Sequence, residues 1–102
     1  MLTITETARN GAARLVLAGD LDMATCPDLI VAVEKARDVT KIVLDCVDLD
    51  FCDATGVSAL LEARAAAHDA GVELRLVNVH GLPRKVLEIC EVLPLLTDGG
   101  PD

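Results

Sequence analysis

The residues best placed to do chemistry lie in the stretch Asp53-Ala54-Thr55-Gly56-Val57-Ser58. Asp53 stands where a helix N-cap is expected, so free backbone N–H groups and the Thr55 hydroxyl should converge at the positive end of a helix. Such a spot suits an anion or a phosphoryl group. Each residue also has a plainer reading: Asp53 as an ordinary N-cap, Thr55 as a first-turn hydroxyl bonded to the backbone, Ser58 as a solvated surface residue at the rim.

The other chemistry-bearing residues form no comparable motif. Asp20, Asp22, Asp48 and Asp50 lack the D-x-D-x-D-G spacing with a terminal Glu that a calcium loop needs, and they read as solvated carboxylates. His68 falls late in a helical stretch and His80 in a turn, neither with an obvious Ser or Cys partner. Cys26, Cys46, Cys52 and Cys90 contain no C-x-x-C pair and read as reduced, structural thiols with no bound metal. Walker and dinucleotide glycine patterns are absent, so the sequence implies no cofactor.

Composition narrows the function classes. The 102 residues are enough for one domain, and the 52% apolar fraction contains a single aromatic residue, Phe51, so the core must be aliphatic and stacking platforms for bases are disfavoured. Nine basic residues against seventeen acidic ones give a net charge of −8, which argues against nucleic acid or anionic membrane as partner and for a protein. The N-terminal residues lack a basic stretch and an apolar core of signal-peptide type, and no apolar run reaches membrane-spanning length. A reduced, cytoplasmic protein without membrane insertion is expected.

The elements that must position Asp53 and its neighbours can be read in order. Leu2 to Glu6 alternates as an edge strand, Asn10-Gly11 is a hairpin turn, and Arg14 to Ala18 is the returning strand. Gly19-Asp20-Leu21-Asp22 reads as a loop. Thr25 or Cys26 should cap a helix with Pro27 in its first turn and an inner stripe of Leu29, Ile30, Val33 and Ala36. Lys41 to Cys46 is apolar enough for a central strand, and an acidic turn should follow it up to Asp53. The second helix carries Val57, Leu60 and Leu61 at helical spacing and should end at Gly71. Val72 to Val77 is a further strand. Pro83 should start a third helix burying Val86, Leu87, Ile89 and Cys90, which Pro94 ends; Leu95 and Leu96 should pack back on the sheet, and Asp98 to Asp102 should fray. The order β-β-α-β-α-β-α predicts an α/β fold, a mixed sheet of four or five strands with helices packed against it.

The segments Gly19-Asp20-Leu21-Asp22, Pro27-Asp28-Leu29, Ile42-Val43-Leu44-Asp45, Phe51, Asp53-Ala54-Thr55-Gly56-Val57 and Leu60-Leu61 together resemble the STAS domain family, and within it the stand-alone anti-sigma factor antagonists. The resemblance covers the chain from the first strand to about Leu96. It implies a protein that turns over no substrate but binds an anti-sigma factor, itself an ATP-dependent serine kinase, and so releases a sigma factor to transcription. A phosphatase is the implied counterpart of the kinase. The implied partner surface comprises Asp20, Asp22, Asp53, Ala54, Thr55, Gly56 and Ser58. In the family the first hydroxyl residue after Asp is the phosphoacceptor, and here that position is Ala54. Three readings stay open: Thr55 as acceptor one residue later, a domain that is never phosphorylated, or an engineered replacement of Ser by Ala.

A phosphate adds about −1.5 to −2 charges, which a helix N-terminus tolerates, so the switch would act on the partner rather than unfold its carrier. Two other classes compete. A STAS domain can serve as a cytoplasmic accessory subunit of an ABC-type lipid transporter. An enzyme or small-ligand sensor is the third class, disfavoured by the missing acid/base constellation.

Overall fold

A computed structural model of the chain describes residues 1–36 and 38–97. Two strands, β1 (Leu2–Arg9) and β2 (Ala12–Leu21), form an antiparallel hairpin in continuous register from Leu2↔Gly19 to Arg9↔Ala12. Asn10 and Gly11 close it with φ of 54° and 79°. A two-residue turn with both φ positive matches the right-handed twist of its strands, and Asn-Gly tolerates it.

From β2 the chain crosses through helix α1 (Cys26–Lys35) to β3 (Lys41–Cys52), and through α2 (Ala54–Asp69) to β4 (Glu73–Val77). Both crossovers join parallel neighbours, giving a four-stranded mixed sheet of order β1-β2-β3-β4. Helix α3 (Gly81–Ile89) and the short α4 (Leu93–Thr97) complete the chain. The expected α/β architecture is therefore observed, with four strands.

One face of the sheet carries the core. Leu15 and Leu17 of β2, Ile42 and Leu44 of β3, and Leu74 and Leu76 of β4 are buried against Leu29 and Val33 of α1 and Val57, Leu60, Ala63 and Ala67 of α2. The small Ala63 and Ala67 let α2 lie close to the strands. An aliphatic side chain fully buried in such a core is worth several kcal/mol, so Leu60→Ala should cost about 2–5 kcal/mol.

Several expectations are corrected. The loop expected at Gly19 to Asp22 is strand as far as Leu21, and the turn expected after Cys46 is strand as far as Cys52. Relative to β2, β3 carries two extra residues, since Val16↔Asp45 is followed by Ala18↔Asp48, and Gly19↔Leu49 by Asp20↔Phe51. These bulges change the inward spacing from two to three, so Cys46, Leu49 and Cys52 are buried while Asp48 and Asp50 stay exposed. Thr25 occupies the N-cap position of α1, yet its side chain makes no capping hydrogen bond.

On α3, Pro83 and Leu87 are buried and Val86 is partly so, but Ile89 is 81% exposed and Cys90 is exposed as well. Ile89 lies two residues, roughly 200°, around the helix from Leu87, and the chain turns away at Glu91 with φ of 61°. Pro94 opens α4 rather than only ending α3; Leu96 is buried while Leu95 stays exposed. The expected fraying of Asp98 to Asp102 falls outside the described residues.

Candidate functional site

The carboxyl ends of β2 and β3 meet the first turns of α1 and α2. Asp53 follows β3 in extended conformation, and its N–H donates to the Leu21 carbonyl at 3.3 Å, fixing the start of α2 to the end of β2. Its Oδ1 accepts from the Gly56 N–H at 2.9 Å and from the Thr55 hydroxyl. These two donors hold the Asp53 carboxyl below its ordinary 3.8, outweighing the small effect of burial. Asp53 thus caps α2 as its position suggested.

Gly56 sets the distance between helix and sheet. A Cβ there would lie 2.6 Å from the Leu21 carbonyl oxygen and 2.8 Å from the Cys52 sulfur, so no side chain fits without moving α2. The close approach leaves Ala54, Thr55 and Ser58 exposed on the first turn and a half beside Asp53.

The loop before α1 is organised by Asp22 and Thr25. Asp22 Oδ1 accepts from the N–H groups of Ala24 at 3.0 Å and Thr25 at 3.1 Å. The buried Thr25 hydroxyl donates to the Asp20 carbonyl and accepts from the Asp22 N–H, both at 2.9 Å. The two first turns then touch, because the Cys26 thiol donates to the Thr55 carbonyl at 3.4 Å. Burial pushes this thiol up; the contact with Thr55 opposes that, while Asp53, Asp22 and Glu62 add to the rise.

Of the residues expected at the site, Asp22, Asp53, Ala54, Thr55, Gly56 and Ser58 are therefore gathered, with Gly56 buried beneath the others rather than on the surface. Asp20 is paired with Phe51 in the sheet register, and its carboxylate turns toward the N-terminal amine at 3.6 Å. Asp48 and Asp50 stay outside the cluster, and no group of three or more metal-ligating side chains occurs among the described residues. His68 is exposed. His80 Nε2 lies 2.8 Å from the Val47 carbonyl, which makes that nitrogen the donor and covers β3 where β4 no longer pairs with it.

Cys26, Cys46, Cys52 and Cys90 are all unpaired thiols. Burial, with lesser help from Asp45 and Asp53 respectively, pushes Cys46 and Cys52 up to about 12, so both stay protonated at neutral pH.

Sequence reasoning missed two features. One is a groove of about 480 Å³ between α1 and α2, lined by Met23, Cys26, Ile30, Val31, Thr55 and Ser58. Met23 is 75% exposed in the middle of a capping loop, and an exposed methionine between Asp22 and the helix start was the available signal. The other is Asp45, 5% exposed, which receives the Arg14 guanidinium, the Asn78 amide at 3.0 Å and the Val47 N–H at 3.0 Å. Burial alone would raise its carboxyl, but these donors, Asn78 first, outweigh it and hold the group below 3.8.

Residues 4–96 match the family described as "Mlab, STAS domain". That span is nearly the whole chain, and the chain belongs to this family of STAS domains. The solved structure of SpoIIAA, an anti-sigma factor antagonist and Bacillus cell-fate determinant, in its unphosphorylated form aligns with a TM-score of 0.77 at 21% identity, covering 90% of this chain and 84% of that one. An anti-sigma factor antagonist from Mycobacterium paratuberculosis aligns with a TM-score of 0.70 at 18% identity, over 90% and 80% of the two chains. The murine anion transporter Slc26a9 aligns with a TM-score of 0.68 at 20% identity, covering 83% of this chain but 14% of the transporter. At these identities the structural likeness concerns the fold. Among curated protein sequences, none matches this chain.

Proposed function

We propose that this domain is an anti-sigma factor antagonist, which binds an anti-sigma factor of the serine-kinase type and thereby releases a sigma factor. The observation that carries the reading is the exposed first turn of α2, capped by Asp53 and set beside the apolar groove with Met23 at its mouth. Proteins recognise one another through apolar anchors ringed by polar groups, and this corner offers both without any acid/base pair suited to turnover. The antagonist fold of SpoIIAA supports the same reading, while the family match supports a STAS domain in this reading and in the second.

In this proposal Asp22, Asp53, Ala54, Thr55 and Ser58 meet the partner directly, Gly56 holds the turn in place, and Asp20 lies at the edge. Ala54 stands where the resemblance puts the phosphoacceptor. Thr55 spends its hydroxyl on Asp53, so we favour an antagonist that the kinase does not phosphorylate. Titration of the purified domain with the anti-sigma factor of its host, by calorimetry, tests the reading. Binding at micromolar affinity or better that Asp53→Lys removes is expected; absence of binding would reject it.

A second reading, a cytoplasmic accessory subunit of an ABC-type lipid transporter, draws support from the occurrence of the same fold within the anion transporter Slc26a9. Co-purification with permease and ATPase subunits in place of a kinase would favour it. No helix among the described residues is long and apolar enough to cross a membrane.

A further inference from the structure

The sheet face opposite α1 and α2 carries, at the end where β2 begins, a charge of the wrong sign for this protein. Registers across all four strands align Arg9, Ala12, Lys41 and Glu73 in one row, and Thr7, Arg14, Val43 and Arg75 in the next. Val16, Asp45 and Val77 form the third row. Four of the nine basic residues of a chain with net charge −8 thus share these three rows with two acidic ones, while Asp48, paired with Ala18, and Asp20 lie further along the same face. Asp45 is buried and occupied by Arg14, and Glu73 lies 3.3 Å from Arg75. Arg9 and Lys41 have no ion-pair partner among the described residues, and the Arg75 Nε is buried without an acceptor.

The face is also shaped. A groove of about 510 Å³ runs along the first two rows, with Thr7, Arg9, Arg14 and Val43 in its walls. It lies at the start of β2, nine residues or roughly 30 Å along the strand from the Leu21 end where the candidate site sits.

We propose that this face is a second interaction surface and that it takes a short acidic segment of a partner protein. The unpaired Arg9 guanidinium can take a carboxylate in a two-pronged geometry and Lys41 a second one as a point charge, and the strip Val16, Val43 and Val77 offers apolar contact to a side chain between the carboxylates. Screening selects the size of the partner. A short segment lying within a Debye length of about 8–10 Å feels the local cations, whereas a long polyanion or a charged membrane also meets the strongly negative remainder of the molecule. This inference is independent of the antagonist reading.

The test is an NMR titration of the 15N-labelled chain at low ionic strength with an Asp/Glu-rich peptide containing one leucine. Shifts centred on Arg9, Ala12, Arg14, Lys41 and Val43 are expected, lost at high salt, with affinity reduced about tenfold or more in the double variant Arg9→Glu/Lys41→Glu. Both substitutions are at residues without ion pairs, and unchanged circular dichroism confirms that the variant is folded. Absence of shifts, shifts centred on α2, equal affinity in the double variant, or tighter binding of duplex DNA or anionic vesicles than of the peptide would each overturn the proposal.

Discussion

At the scale of residues, the corner of Asp53 turns on which hydroxyl is free. Thr55 is exposed, but its hydroxyl is bonded to the carboxylate that caps the helix, while Ala54 presents a methyl group where the resemblance calls for an acceptor. Successive residues on a helix point about 100° apart, so a kinase aligned on the first position does not reach the second without rotating its substrate. Incubation with the cognate anti-sigma kinase and ATP should therefore leave the parent unphosphorylated and give Ala54→Ser one phosphate, read by intact mass. A phosphate on the parent that Thr55→Ala abolishes would show that Thr55 has taken the role.

Asp45 and Asp53 also set an acid limit for the fold. Both carboxyls sit below the ordinary 3.8 in the folded state, so the folded form binds protons less readily than the unfolded chain. Their stabilisation is complete above that value and is lost as pH falls through the lower folded values. Thermal melts between pH 2 and 7 should show stability falling below about pH 4, with a shallower fall in Asp45→Asn. A melt as steep in that variant as in the parent would remove Asp45 from the account. At neutral pH, Asp45→Ala strands the donors of Asn78, Val47 and Arg14 and should cost about 1–3 kcal/mol.

At the scale of elements, local chemistry made most of the fold readable. Asn10-Gly11 announced the hairpin, Gly71 with φ of 78° ended α2 as expected, and the alternation of Val72, Leu74 and Leu76 placed β4. The second half of β3 was not readable. Its two bulges space Cys46, Leu49 and Cys52 by three, and the intervening Asp48 and Asp50 look like a turn until β2 is laid alongside. The α1–α2 groove was hidden for a related reason, since it depends on how close two helices lie rather than on any run of residues. The spacer there is Gly56. Gly56→Ala should force α2 away from Leu21 and Cys52, lower stability by about 1–3 kcal/mol, and weaken partner binding even though the exposed residues are unchanged. Normal affinity in a destabilised Gly56→Ala protein would show that the α2 position does not matter to the partner.

At the scale of the whole molecule, charge and burial divide the labour. Carboxylates gather at the carboxyl ends of β2 and β3, cations at the other end of these strands on the sheet face away from the helices, and the buried thiols of Cys46 and Cys52 lie between layers. With alkylating reagent at neutral pH, exposed Cys90 should react first and Cys46 and Cys52 only after unfolding, because burial keeps both protonated. Early labelling of Cys46 or Cys52 would mean that the core opens more readily than its packing implies.

The central claim is that the Asp53 corner of α2 is where an anti-sigma kinase docks. Its most direct measurement is affinity capture from the host with the parent domain and with Asp53→Lys side by side, the bound proteins identified by mass spectrometry. The account predicts that an anti-sigma factor of the serine-kinase type is enriched on the parent and lost on Asp53→Lys, with the two proteins equally folded by circular dichroism. Equal recovery of that kinase on both, or recovery of transporter permease and ATPase subunits in its place, would contradict it.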